Sequence, residues 1–328
     1  MSEILVLSAD DVRRSLPMRD CIAAIRDALV DLANAIVHNP LRMIAVAPFP
    51  SAGVLGLMPA IRGGDTPRFA LKEICVVPAN HDLGLDSHQG SVLLHDGTTG
   101  ELRAVLNASA ITAIRTAAVS AVATDIFAAP NASTLGIVGA GVQAHSHVEA
   151  LSAVRDFAEI RVCARRREHA DAFAVAWLGR APVVAVADPE AAVRGAQVIA
   201  TVTSSETPVI ERAWVDDGTH INAVGSSART RRELDSATIA AAALFVDRRE
   251  SAVNEAGDYL LALADGAIGD DHIRAELGEV LTGRAAGRAT DEEITVFKSL
   301  GIAVEDLAAG ELAYRNARAT GCGTRVPF

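Results

Sequence analysis

The chain has 328 residues, half of them hydrophobic but only 4% aromatic, so its core rests mainly on Ala, Val, Leu and Ile, which excludes a disordered chain and suits helices packed on a parallel sheet. At about 100 to 200 residues per domain, this length fits two domains. Lys and Arg number 30 against 41 Asp and Glu, a formal charge of -11 with no basic run longer than Arg165-Arg166-Arg167, which argues against a nucleic-acid partner.

Residues 4–7 read as a strand, and Ser8 followed by Asp11 reads as the cap of a short helix. Pro17 opens a second helix whose Ile22, Ile25, Leu29, Leu32 and Ile36 step by three and four onto one face. From residue 41 the period shortens. Runs at 41–47, 54–61, 69–77, 91–94 and 102–106 are broken by turn residues such as Gly63-Gly64-Asp65 and Asp96-Gly97, which predicts an antiparallel or mixed sheet. An Ala-rich helix follows over 108–128, and Ala129-Pro130-Asn131 after it marks a domain boundary. Apolar runs at 134–138, 160–163, 183–186, 198–202, 220–224 and 244–246 then alternate with helical segments, the signature of a parallel sheet covered on both faces. The tail over 292–319 reads as helical, broken near Gly301. The N-terminus lacks the basic-then-apolar layout of an export signal, and no uninterrupted apolar run approaches the roughly 18 residues that span a bilayer. Cys21, Cys75, Cys163 and Cys322 lie far apart without a CxxC pair, which fits a reducing, cytoplasmic setting with no membrane partner.

Gly139-Ala140-Gly141-Val142-Gln143-Ala144 follows a predicted strand directly and opens a predicted helix. This is a GxGxxA pattern in the context that dinucleotide binding requires: Gly139 permits the tight turn, Gly141 lets backbone approach a pyrophosphate, and Ala144 lets helix and strand pack closely. A glycine turn without a ligand is the plainer alternative. The next strand ends in Cys163 and is followed by Ala164-Arg165-Arg166-Arg167, not by the acid that accepts from the ribose hydroxyls of NAD. Guanidinium groups there favour NADP(H), with NAD(H) possible; the alternative is a solvated basic helix start. In the first domain Arg42, Lys72 and Arg115 each sit in apolar surroundings. Singly such cations are usually structural; together they suggest a site for a small carboxylate, which a guanidinium can hold bidentately. His145 and His147 lie two apart on a predicted helix, face different sides and read as surface residues, not a metal pair. His81, His88 and His95 read as satisfied loop or strand-end residues, and Glu168-His169 and Asp270-Asp271-His272 as solvated helix starts. No metal site is expected.

With these pieces the chain resembles the ornithine cyclodeaminase/mu-crystallin family over nearly its whole length. The resemblance rests on Met58-Pro59, Lys72 with Pro78-Ala79-Asn80, Ser87-His88-Gln89-Gly90, Ala110-Ile111-Thr112-Ala113-Ile114-Arg115-Thr116-Ala117-Ala118 and the glycine loop. It continues through Ile221-Asn222-Ala223-Val224-Gly225, Glu233-Leu234-Asp235, Glu255-Ala256-Gly257-Asp258 and Thr295-Val296-Phe297-Lys298-Ser299. It implies an α/β fold in which a Rossmann doubly wound parallel sheet, 129–301, is inserted in an α+β substrate-binding and dimerisation domain, 1–128 plus 302–328. Homodimers are usual in that family. Substrate contacts map onto Arg42, Lys72, Ser87 and Arg115, with Lys72 and Ser227 in catalytic positions. Cofactor contacts map onto Thr116, Gly139 to Ala144, Arg165, Arg166, Thr203, Ser204, Ala223, Val224, Gly225, Phe297 and Lys298.

Cyclodeaminases of that family carry an Asp where this chain has Ser227, and a hydroxyl without an activating partner is a poor base. Members that reduce ketimines resemble the chain more closely. The expected function is therefore NAD(P)H-dependent reduction of a cyclic ketimine carboxylate, Δ1-pyrroline-2-carboxylate or Δ1-piperideine-2-carboxylate, to L-proline or L-pipecolate. The alternatives are an amino-acid dehydrogenase acting on alanine or an N-substituted amino acid, an ornithine cyclodeaminase, and a protein that binds NADPH or a small ligand without turnover.

Overall fold

The computed structural model describes residues 3–49 and 53–328, with the side chains of His81 and Asp82 outside the described set. The chain divides into two compact units, Met1–Arg115 with Gly301–Phe328, and Thr116–Leu300. By packing, the first cut falls after Arg115, inside a helix, and not at residues 129–131.

The first unit opens with β1 (Glu3–Leu7), α1 (Ala9–Ser15) and α2 (Met18–Ala33), followed by β2 (Val37–His38) and β3 (Met43–Ala45). It continues with β4 (Val54–Arg62), β5 (Arg68–Val76), β6 (His88–Asp96), β7 (Leu102–Asn107) and α3 (Ala108–Phe127), of which residues through Arg115 belong to this unit. Ser8 caps α1 in a reciprocal box with Asp11. The sheet runs β16-β1-β7-β6-β5-β4-β2, with β3 also on β4; β16 (Thr324–Pro327) comes from the C-terminus. Among the described residues only β1 and β7 pair parallel, so the sheet is mixed, as the turn-punctuated runs imply. Met58, Lys72 and Val92 lie in line across β4, β5 and β6. Their buried face is covered by the C-terminal helix (Ala303–Thr320), whose Gly310 lies against Leu94 and Val92, with room for a β-carbon in ordinary contact but not for a larger side chain. Two expectations change. Helix α2 stops at Ala33, where Ala35 turns through φ 57° and leaves Ile36 outside the helix and 42% exposed. Of 41–47 only Met43–Ala45 is strand, so Arg42 stands just before it and not within it.

The second unit takes up α3 from Thr116 and holds β8 (Thr134–Val138), α4 (Val142–Ser152), β9 (Glu159–Cys163), α5 (Arg167–Ala176), β10 (Val183–Ala185), α6 (Pro189–Val193) and β11 (Val198–Thr201). After these come β12 (His220–Ala223), α7 (Ser236–Ala241), β13 (Ala243–Val246), α8 (Arg249–Glu255), α9 (Gly257–Ala264), β14 (Ile273–Glu276), α10 (Leu277–Leu281) and β15 (Thr295–Lys298); the C-terminal helix is then α11. All eight strands are parallel, in the order β10-β9-β8-β11-β12-β15-β13-β14. The order reverses between β8 and β11, the place where doubly wound sheets take their ligands. Two strands were not foreseen. Thr295–Lys298, read as part of a helical tail, is a wholly buried strand between β12 and β13, and a four-residue apolar run has no periodicity that separates it from buried helix. Asp270-Asp271-His272 precedes strand β14 and not a helix, with His272 Nε2 donating to the Ile239 carbonyl at 2.7 Å.

Helix α3 is the one described helix long and apolar enough to cross a membrane by length and composition, but 72% of that stretch is buried in protein. Its polar residues Ser120 and Thr124 have partners inside the second unit: Ser120 Oγ lies 2.9 Å from His147 Nε2, and Thr124 Oγ1 accepts from Asn222 at 2.9 Å. His147 is therefore a core residue and not a surface one. Its Nδ1 faces the Gln143 carbonyl at 2.8 Å, which fixes that nitrogen as the donor and leaves Nε2 to accept from Ser120. Burial pushes the His147 imidazole down to about 4 and, in β12, that of His220 to about 3. His145 packs against Phe173 and accepts from the Trp177 indole at 2.9 Å.

These buried neutral imidazoles make the second unit acid-sensitive. The unfolded chain takes up protons near pH 6.5 while the folded one does not until about pH 4 or below, so stability falls as pH drops through that window. The loss is on the order of 3 kcal/mol per histidine by pH 4. Urea denaturation followed by the fluorescence of Trp177 and Trp214 between pH 7.5 and pH 4.5 measures it; a flat midpoint contradicts it.

Candidate functional site

In the first unit the structure brings Lys72 and Arg115 together, although they come from a strand and a helix. Both are nearly fully buried, and a buried cation needs a counter-charge. It comes from the first turn of α11: one oxygen of Asp306, Oδ1, faces Lys72 Nζ at 3.2 Å and Arg115 Nε at 3.1 Å, while Glu305 Oε2 accepts from Arg115 NH1 at 2.7 Å. Two cations thus meet two carboxylates. Of the three cations expected to form a positive site, Lys72 and Arg115 meet in a charge-balanced cluster, and its acids, Glu305 and Asp306, went unread in the sequence.

Burial pushes the Lys72 ammonium down to about 8, against the pull of Asp306, and neighbouring Arg115 adds to the drop. Burial also works against the Arg115 charge, but Asp306 and Glu305 more than offset it and hold the guanidinium protonated. Gly301, at φ 73°, lies against the Arg115 guanidinium, where a β-carbon would collide with it. Ser87 Oγ is 3.0 Å from His88 Nδ1, and Asp86 accepts from the His88 amide and the Ser109 hydroxyl. Burial, then the charges of Lys72 and Arg115, push the His88 imidazole down against the pull of Asp86, so the Ser87-His88 pair lies in the field of the cation cluster. Arg42 is partly exposed, ahead of β3.

The second unit carries the glycine loop as the spacing required. Gly139 has φ 118°, and a β-carbon there would meet the Val202 carbonyl at 2.7 Å; its amide donates to the Cys163 carbonyl at 2.9 Å. At Gly141, the N-cap of α4, a β-carbon would meet nothing within 4 Å, and no side chain caps the helix. Ala144 is fully buried against the sheet. A closed Gly139 and an open Gly141 fit a pyrophosphate cradle at a helix N-terminus. Among the three arginines after β9, Arg167 pairs with Asp171 at 2.8 Å and Arg166 contacts Glu168 and His169. Arg165 is exposed and has no partner among the described residues.

The remaining expected contacts divide. Ser204 and the buried Val224 follow β11 and β12, and Thr203 and Gly225 are tied by hydrogen bonds to Glu233. Thr116 is 7% exposed, and its carbonyl lies 3.3 Å from Ser120 Oγ, whose hydrogen goes to His147. Ser227 is exposed, its hydroxyl without a partner among the described residues. Phe297 and Lys298 are fully buried in β15, and the Lys298 ammonium is held by Asp258 at 2.9 Å and by the Ser226 carbonyl. Among the described residues no group of three His, Cys, Asp or Glu is arranged to hold a metal.

The two glycines separate a turn from a cradle. Gly141→Ala should fold with an unchanged melting temperature yet bind a nicotinamide dinucleotide at least tenfold more weakly, whereas Gly139→Ala should lower the melting temperature as well, since it strains φ and strikes Val202. Thermal melts and nicotinamide fluorescence titrations with NADH and NADPH read both; undiminished dinucleotide binding by Gly141→Ala excludes the cradle.

Comparison with known proteins agrees with this arrangement. The ketimine reductase mu-crystallin of Rattus norvegicus is 42% identical over 312 residues, 94% of this chain and 96% of that protein. The structure of Thermococcus litoralis Δ1-pyrroline-2-carboxylate reductase in complex with NADH and L-proline matches with a TM-score of 0.94 at 36% identity, over 98% of this chain and 100% of that one. An archaeal alanine dehydrogenase dimer with bound NAD matches with a TM-score of 0.93 at 32% identity over the whole of both chains. The model of the ornithine cyclodeaminase/mu-crystallin family spans residues 2–321. With its glycine-loop parallel sheet and its buried Lys72–Arg115 cluster, the chain belongs to the ornithine cyclodeaminase/mu-crystallin family.

Proposed function

We propose that the protein is an NAD(P)H-dependent reductase of cyclic ketimine carboxylates, converting Δ1-pyrroline-2-carboxylate or Δ1-piperideine-2-carboxylate to L-proline or L-pipecolate. The observation that carries this reading is the buried Lys72–Asp306–Arg115 arrangement, in which one carboxylate oxygen holds an ammonium and a guanidinium together. It is supported by relatives named for ketimine and pyrroline-carboxylate reduction, one of them with NADH and L-proline bound. A bound nicotinamide supplies the hydride for the ring carbon of the C=N bond. Arg115, with Arg42, orients the neighbouring carboxylate through directed N–H groups. Lys72, with its pKa near 8, holds a proton at working pH and can deliver it to the ring nitrogen. Ser87 and Ser227 supply hydroxyls to the ring and its water. Ser227, without an activating partner among the described residues, is a poor base for ring closure of ornithine.

NADP(H) is the preferred cofactor in this reading, because Arg165 is the exposed cation left over after β9 and no acid follows that strand. The protein acts as a homodimer, supported by the dimeric archaeal relative and by the exposed Met43, Ile44, Val46 and Phe49 of the first unit. A second reading, oxidation of alanine or an N-substituted amino acid, is favoured by the archaeal alanine dehydrogenase match. Open-chain 2-oxo acids with ammonia or methylamine, followed by product analysis, separate the two.

Nicotinamide absorbance in the presence of each cyclic imine tests the main reading: NADPH should be consumed with both rings, and no consumption above background with either ends it. Activity should fall as pH rises through about 8, where Lys72 loses its proton. In Lys72→Arg any residual activity should lose that alkaline limb; persistence of the limb removes Lys72 from the proton step. Arg165→Asp should lower kcat/KM for NADPH at least tenfold while leaving that for NADH within about threefold. An unchanged ratio removes Arg165 from the coenzyme clamp.

A further inference from the structure

Three sequence motifs carry no role in the proposed chemistry: Glu233-Leu234-Asp235, Glu255-Ala256-Gly257-Asp258 and the Lys298 segment. In the structure they form one buried network. Glu233 is fully buried, and its carboxylate accepts four hydrogen bonds from two neighbouring parallel strands and their loops. Oε1 takes the Thr203 amide and the Thr203 hydroxyl, each at 2.7 Å; Oε2 takes the Thr201 hydroxyl at 2.8 Å and the Gly225 amide at 2.7 Å. One side chain thus ties the loop after β11 to the loop after β12. Asp258 locks Glu233 in turn: its Oδ1 accepts from the amides of Glu233 at 2.8 Å and Leu234 at 2.9 Å, while Oδ2 faces Lys298 Nζ at 2.9 Å. Lys298, at the end of β15, also donates to the Ser226 carbonyl, beside Gly225. Gly225 leaves no room for a β-carbon, which would strike the Thr203 backbone and Glu233 Oε1.

The loops held this way follow β11 and β12, across the switch point from the Arg165 end of the sheet. In a doubly wound fold one mononucleotide half binds on each side of that point, with the pyrophosphate on the first glycine turn. Arg165 and β9 mark the adenosine half, so the Thr203 and Gly225 loops belong to the nicotinamide half. Burial pushes the Glu233 carboxyl above the usual carboxylate range, while Lys298 and the Thr203 donors pull against that push. Every contact is to a loop or its strand end. We infer that Glu233 is a positioning residue for the nicotinamide half of the dinucleotide site: it sets the spacing of the Thr203 and Gly225–Ser227 loops that embrace the ring, with Asp258 and Lys298 as its supports. This inference rests on dinucleotide binding as proposed above, but not on the identity of the imine.

Glu233→Gln tests it, because the amide keeps the volume but turns NH2 donors toward N–H and O–H donors. NADPH binding, read by energy transfer from tryptophan to nicotinamide, should weaken at least tenfold, while 2′,5′-ADP, which lacks the nicotinamide half, should bind within about twofold of wild type. In turnover KM for NADPH should rise with little change in KM for the imine. Equal weakening of NADPH and 2′,5′-ADP would overturn the inference, because it marks a general loss of the fold, and so would unchanged NADPH binding. Should Glu233→Gln fail to fold, Thr201→Val, which removes one donor to Oε2 at nearly constant volume, should give the same split at about threefold; no split there also overturns it. If neither imine is reduced by wild type but the binding split holds, the inference stands while the ketimine reading falls.

Discussion

A cation taken out of water must find a carboxylate, and both units of this protein are organised around that requirement. An isolated buried ammonium or guanidinium would lose its charge or destabilise the fold. In the first unit the answer is Asp306, whose single oxygen serves Lys72 and Arg115, seconded by Glu305 on Arg115. In the second it is Asp258, which faces Lys298 and also holds the chain at Glu233 and Leu234. Each pairing joins residues far apart in sequence, so each holds together elements that no local propensity would connect. Removing one partner leaves the other charged and buried, and so destabilises by more than the pair itself contributes.

Charge balance also shapes what the first unit can recognise. With a formal charge of -11 over the chain and two acids matching Lys72 and Arg115, attraction of a carboxylate by excess positive charge is a weak explanation. Directed donors are a better one. Asp306 and Glu305 fix the Nε and NH1 edges of Arg115, and Gly301 leaves the guanidinium the space it occupies, so the group is held in one orientation before any ligand arrives. Donors that are already ordered lose little entropy on binding, and the gain appears in affinity and alignment. Burial, with Arg115 adding to it and Asp306 and Glu305 pulling the other way, brings the Lys72 ammonium down to about 8, so that a buried amine can exchange a proton close to neutral pH, which an exposed lysine cannot do.

How much of this was legible in the sequence depends on the range of the interaction that decides each residue. Glycine geometry is local, and the Gly139 turn with the open Gly141 stands where the GxGxxA spacing put it. Alternation and turn residues gave the mixed sheet, because a strand with one buried face must alternate. Thr295–Lys298 failed because four buried residues carry no period, and the strand exists through its pairing with β12 and β13. His147 failed for a related reason. Its place two residues from His145, on another face of α4, was read as surface, but Ser120 on α3 covers it, and the signal that could have found this was Thr116, Ser120 and Thr124 spaced by four in a mostly apolar stretch of helix. Glu305 and Asp306 looked like ordinary acids in a helix first turn, where they are common. Nothing adjacent to them announces that they lie on Lys72 and Arg115.

The two roles of acid at a helix start separate on one physical point. Asp11 in α1 and Asp306 in α11 both sit in a first turn. Asp11 serves its own helix first: it closes a capping box with Ser8 and pairs with Arg14, and Ser8, then Cys322, then Arg14 keep it well below the usual carboxylate range. Asp306 is nearly fully buried and answers a strand and another helix. The difference is burial, and burial is set by what α11 packs against. Small residues at the contact, Gly310 among them, let α11 lie close on β4, β5 and β6, and that close approach carries Asp306 down to Lys72. The polar chemistry of the first unit is therefore a consequence of how tightly one helix can sit on one sheet, and a larger side chain at Gly310 would act on Lys72 by lifting the helix that holds its counter-charge.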